Sequence, residues 1–151
     1  MSAAVPLELG ASATFTKTVT ETDVVLFAGI SGDFAPVHMD EEYARKAALG
    51  QRVAHGVLTV AFMSTAASKL TTACAEKTGP LGPTALSLGF DKMRFLKPVF
   101  FGDTLTTTYT VEAIDTSRAI PRTIAKVEVR NQRGELAAVA QHIEAWVPAK
   151  T

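Results

Sequence analysis

The stretch from Gly56 to about Ala75 places the strongest constraint on this chain. It is rich in Val, Leu, Ala, Phe and Met with small hydroxyl residues, and its apolar side chains fall on most faces of a helix. A helix of that kind is normally buried along its length, so other elements must enclose it. Thr78-Gly79-Pro80-Leu81-Gly82-Pro83 then breaks the helix, and every later segment reads as strand. Leu86, Leu88 and Phe90 keep a period of two, while Met93 and Phe95 resume it on the other parity, which predicts a β-bulge near Asp91 or Lys92. Leu105, Thr107, Tyr109 and Val111 share one face, with Thr104, Thr106, Thr108 and Thr110 opposite. Thr123 to Arg130 alternates again, Asn131-Gln132-Arg133-Gly134 supplies a hairpin turn, and Leu136 to Val147 makes a last long strand.

Ahead of the apolar helix, Ala13 to Val19 suits a short strand with one wet face. Thr20 or Thr22 can cap a helix carrying Val24, Phe27, Ala28 and Ser31 at helical spacing, and Gly32 is a natural residue to end it. Asp33 therefore sits just past a helix end. Asp40, followed by Glu41 and Glu42, can cap a second short helix that carries Arg45 and Lys46 in its last turn and stops near Gly50. That leaves His38 in the connection between two helices. Helices gathered before an antiparallel sheet indicate an α+β fold in which the sheet curls around the single apolar helix. At 151 residues the expectation is one domain over residues 1–151, with loose ends before about Ala11 and after Pro148.

Lys and Arg together number 15, as do Asp and Glu, so no overall field draws the chain to nucleic acid or an anionic membrane. The expected partner is a small molecule gripped by local charges. The lone cysteine, Cys74, rules out an internal disulfide and reads as a small core residue. Met1 to Gly10 lacks the pattern of a signal peptide, and Val57 to Leu70 is interrupted by polar residues and too short to span a bilayer. The expectation is a soluble protein of the reducing cytoplasm.

Chemistry concentrates in Gly32-Asp33-Phe34-Ala35-Pro36-Val37-His38, where a carboxylate and an imidazole stand five residues apart across a proline-stiffened turn. Such a pair can hold one water and trade protons with it. Val53-Ala54-His55-Gly56-Val57 adds backbone N–H groups near a helix start, where a developing oxyanion can be held. His55 suits a site contact and a structural role equally, and His142 reads as an ordinary cross-strand residue. Three histidines without metal-ligand spacing give no reason to expect a metal, and no glycine-rich loop follows a strand as a nucleotide cofactor would require.

Together with Phe95-Leu96-Lys97-Pro98-Val99-Phe100-Phe101-Gly102-Asp103-Thr104-Leu105, these two motifs resemble the MaoC-like, (R)-specific enoyl-CoA hydratase family, from about Phe15 to Trp146. The resemblance implies a hot-dog fold, a curved antiparallel sheet wrapped around the long helix, paired as a homodimer with acyl-CoA at the subunit junction. By position, the family's catalytic pair falls on Asp33 and His38, its oxyanion donor on the backbone of Gly56, and a serine supporting the site on Ser64. Ala35 stands where these hydratases typically carry asparagine. The implied reaction is reversible syn hydration of trans-2-enoyl-CoA to (R)-3-hydroxyacyl-CoA, with no cofactor beyond the CoA of the substrate, in fatty-acid metabolism or polyhydroxyalkanoate supply. Ala35, Pro36, Val57, Arg94 and Lys97 are candidate substrate contacts, and Arg52 and Lys92 are further basic residues near the motifs. Two other readings remain open: a hot-dog thioesterase, and a non-catalytic acyl-CoA-binding domain.

Overall fold

The structure, a computed structural model, describes residues 5–149. In chain order the elements are β1 (Ser12–Thr18), α1 (Glu21–Ser31), α2 (Pro36–Met39), α3 (Glu41–Lys46), α4 (Leu58–Thr78), β2 (Thr84–Phe95), β3 (Thr104–Asp115), β4 (Arg122–Arg130) and β5 (Leu136–Val147). The strands form one antiparallel sheet in the order β1-β3-β4-β5-β2. α4 packs on its inner face, giving the expected α+β, hot-dog-like arrangement.

The alternation along β3 accounts for the core. Leu105, Thr107, Tyr109 and Val111 are buried on the inner face, with Ala125, Val127 and Val129 of β4 beside them. From α4, Phe62, Met63, Ala66 and Ala67 meet this surface, and Phe62 packs edge-on against Phe15 of β1 at 5.8 Å. The opposing threonines of β3 are joined to β1 by hydroxyl pairs, Thr106 with Thr16 at 3.0 Å and Thr104 with Thr18 at 2.8 Å.

Three expectations need correction. α4 is buried on one side only: Ala61, Ser64, Ser68 and Lys69 are exposed, because a single sheet covers one face of a helix and these small or polar residues tolerate water on the other. The helix also starts at Leu58 rather than Gly56 and runs on to Thr78. The segment before Ala11 is not loose from Val5 onward: Leu7 is buried, the Cys74 thiol donates to the Pro6 carbonyl at 3.3 Å, and Gly10 N–H donates to Val111. Residues 1–4 and 150–151 lie outside the described residues.

The expected bulge lies between Asp91 and Arg94, where Lys92 takes the left-handed conformation (φ 52°). A second register shift between Ser87 and Gly89 was not legible in the alternation. Among the described residues, no helix is long and apolar enough to cross a membrane.

Candidate active site

Two helix boundaries place the acid. Thr20 caps α1 through a reciprocal capping box with Asp23, and Gly32 ends α1 in the left-handed conformation (φ 78°), which turns the chain back so that Asp33 begins a tight loop. Asp33 Oδ1 accepts the Ala35 N–H at 3.2 Å, and Asp33 N–H donates to Ser31 Oγ at 3.2 Å. The carboxylate remains half-exposed.

Pro36 opens α2, so His38 lies on a short helix rather than in an irregular connection. His38 N–H donates to the Ala35 carbonyl at 2.9 Å. The ring Nδ1 lies 2.7 Å from the Val53 carbonyl oxygen. A carbonyl only accepts, so Nδ1 carries a proton and donates, which leaves Nε2 as the nitrogen free to meet a substrate or a water.

His55 reaches the same corner. Its Nε2 lies 2.9 Å from the Asp33 carbonyl oxygen and 3.9 Å from Asp33 Oδ2, and its ring stacks on that of His38 with centroids 3.8 Å apart. One ligating atom from each of Asp33, His38 and His55 lies within 4.8 Å of the other two. These are the described residues that could jointly approach a metal ion. As arranged, however, the Val53 and Asp33 carbonyls engage one nitrogen of each ring, and the two rings lie face to face rather than converging.

A cleft of about 340 Å³ opens beside this corner, with His38, Gly56, Thr59, Phe95, Lys97 and Val99 among its walls. Gly56 sits in the turn just before α4. The first N–H groups of α4 are satisfied by 3₁₀-type bonds, Leu58 to His55, Thr59 to Gly56 and Val60 to Val57, whereas no acceptor among the described residues takes the Gly56 N–H. A Cβ at Gly56 would stand 3.0 Å from the Phe95 ring, so the absence of a side chain is what lets this ring close over the turn.

The structure thus brings Asp33, His38 and Gly56 to one side of the molecule, with His38 and Gly56 on the cleft wall and Asp33 beside it. Lys97 lies at the cleft and pairs with Glu135 at 2.7 Å. Ala35, Pro36, Val57, Arg94 and Ser64 do not line the cleft. Arg94 donates to the Met93 carbonyl, and Ser64 is exposed on α4. Arg52 is committed elsewhere: it bridges Glu21 of α1 and Glu41 of α3, each at 2.9 Å, and covers the Phe101 ring at 4.6 Å. Thr59 and Phe95 were missed as cleft residues; Thr59, three positions after Gly56, was legible from helical spacing, but Phe95 required the tertiary fold.

The family described as "MaoC like domain" matches residues 7–133. An (R)-specific enoyl-CoA hydratase of Rhodospirillum rubrum is 37% identical over 105 residues, spanning 70% of this chain and 66% of that protein. The chain therefore aligns with just under two thirds of that relative's length. The solved unliganded R-hydratase of Pseudomonas aeruginosa is 32% identical and covers 95% of this chain and 84% of its own, with a TM-score of 0.76. The (R)-hydratase of A. caviae involved in PHA biosynthesis is 27% identical, covers 96% of this chain and 100% of its own, and has a TM-score of 0.80.

Proposed function

Because the chain belongs to the MaoC-like dehydratase family, we propose that it is an (R)-specific enoyl-CoA hydratase acting on trans-2-enoyl-CoA thioesters. The observation that carries this reading is the meeting of an exposed carboxylate and an imidazole oriented through its Nδ1, Asp33 and His38, beside a cleft where the Gly56 N–H has no acceptor among the described residues.

In the proposed reaction, Asp33 and His38 Nε2 hold one water over the β carbon. Asp33 takes a proton from that water as its oxygen bonds to the β carbon, and the π electrons move onto the α carbon and the thioester oxygen. Gly56 N–H donates to that oxygen as its negative charge grows, an effect worth about 3 kcal/mol for oxyanion donors in general. The proton taken by Asp33 is handed across His38 to the α carbon on the same face, so the pair ends in its starting protonation state. No other reactant is required.

The chain is proposed to act as one domain that pairs with a second copy. β2 is an edge of the sheet and exposes Leu86 and Leu88, an edge that strand pairing would cover. The test is incubation with crotonyl-CoA: loss of the conjugated-thioester absorbance without free thiol supports hydration. Release of thiol would identify a thioesterase instead, and thermal protection by crotonyl-CoA without turnover would identify a binding domain.

A further inference from the structure

His55 is 2% exposed, yet it is embedded in polar machinery rather than in the apolar core. Phe27 of α1 lies against one side of its ring at 4.8 Å, and His38 stacks on it at 3.8 Å with the planes 30° apart. Its Nε2 lies 2.9 Å from the Asp33 carbonyl oxygen, so Nε2 carries a proton and donates. Nδ1 is buried and without a partner among the described residues. A buried polar atom left unsatisfied is uncommon, and its presence beside reacting groups points to a ring retained for what its other nitrogen and its faces do.

Both members of the proposed catalytic pair touch this one ring. Asp33 stands in a short exposed loop whose other ties are local, to Ser31 and Ala35. His38 is on a four-residue helix, too short to hold its own orientation. The Val53 carbonyl sets the direction of the His38 ring within its plane, and the stacked His55 ring limits its tilt. His55 itself follows directly on Ala54, which is buried and donates to the Val99 carbonyl at 2.8 Å, so its backbone is anchored to the body of the fold.

We propose that His55 is a positioning residue of the hydratase, latching the Asp33 loop through its Nε2–H and bracing the His38 ring by stacking, so that carboxylate and imidazole meet one water in register. The proposal rests on the hydratase reading and adds a residue to it. Misplacing such supporting partners typically lowers activity by about 10- to 100-fold.

Three variants separate latch, brace and packing. His55→Phe keeps an aromatic ring but removes the donor, His55→Gln keeps an N–H donor at the ε position without the ring, and His55→Ala removes both. His55→Phe is expected to keep a melting temperature near wild type while kcat on crotonyl-CoA falls about tenfold or more and KM changes less than about threefold. His55→Gln should recover part of kcat, and His55→Ala should be the least active. Backbone hydrogen exchange at Ala35 and His38, read without substrate, should speed up in His55→Phe and His55→Ala but not in His55→Gln. Wild-type turnover in His55→Phe, unchanged exchange at these amides, or kcat that simply tracks melting temperature across the three would overturn the proposal. A wild-type protein inert on enoyl-CoA would instead sink the hydratase reading, and the exchange comparison would still judge the latch.

Discussion

Asp33 builds its own turn, since Oδ1 accepts the Ala35 N–H, and an amide at this position preserves that acceptor while removing the proposed base. Asp33→Asn should therefore fold normally and lose hydration by about 10²- to 10⁴-fold, the range for general acid–base groups, checked by turnover alongside thermal unfolding. Gly56→Ala makes a different demand. The added Cβ meets Phe95 at 3.0 to 3.2 Å, but Phe95 is half-exposed and can swing outward, so stability should change by less than about 1 kcal/mol while the methyl blocks approach to the free N–H. The expected loss is about 10²-fold in kcat, the scale of a lost oxyanion donor. The spacing from Asp33 to His38 was legible in the sequence because both residues belong to one short motif. The stacking of His55 on His38 was not, because it depends on where the loop after α3 crosses α2.

Between elements, Arg52 is the tie that holds the loop-bearing helices together. It joins Glu21 at the start of α1 to Glu41 at the start of α3 while its guanidinium covers Phe101, and its side chain is only 17% exposed. It is one of the basic residues near the motifs in sequence, and the ion pairs show its charge already engaged. Arg52→Met keeps the apolar stem and removes the bridges, and should cost about 1 to 2 kcal/mol in chemical denaturation, with the difference from wild type shrinking at high salt. Element identities were largely legible: a cap at Thr20 or Thr22, of which the structure uses Thr20, the glycine end at Gly32, the Asp40 cap and the period-two strands each follow from local chemistry. α2 was not, because a four-residue turn opening on a proline leaves no periodicity to read. The exposed side of α4 was also hidden, since its alanines and hydroxyl residues fit core and surface alike.

Across the whole molecule, the sheet carries a polar chain that runs from exposed Ser87 to buried His142, Tyr109 and Glu144, where the alternation alone reads as ordinary strand. His142 Nε2 lies 2.7 Å from Ser87 Oγ, its Nδ1 lies 3.2 Å from Tyr109 Oη, and Tyr109 donates to Glu144 at 3.1 Å, with Phe90 stacked on the imidazole. Burial pushes His142 down to about 4 and raises the Glu144 carboxyl. Well above pH 6.5 the ring is neutral in both the folded and the unfolded chain. As the pH falls from 6.5 toward 4, the unfolded chain binds a proton that the folded one refuses, so this group removes about 3 kcal/mol of stability across that window. Glu144 works the other way, because the folded chain takes up its proton before the unfolded chain does. In His142→Gln the fall in stability between about pH 6.5 and 5 should shrink by about 2 kcal/mol relative to wild type, measured by denaturant unfolding at each pH.

The claim on which the functional account stands is that one water serves both Asp33 and His38 on one face of the double bond. Hydration of crotonyl-CoA in heavy water, followed by determination of the configuration at both new centres, tests it directly. The expected product is (R)-3-hydroxybutyryl-CoA with a single deuterium on the α carbon, added to the same face as the hydroxyl; an (S) product or opposite-face addition would contradict the account.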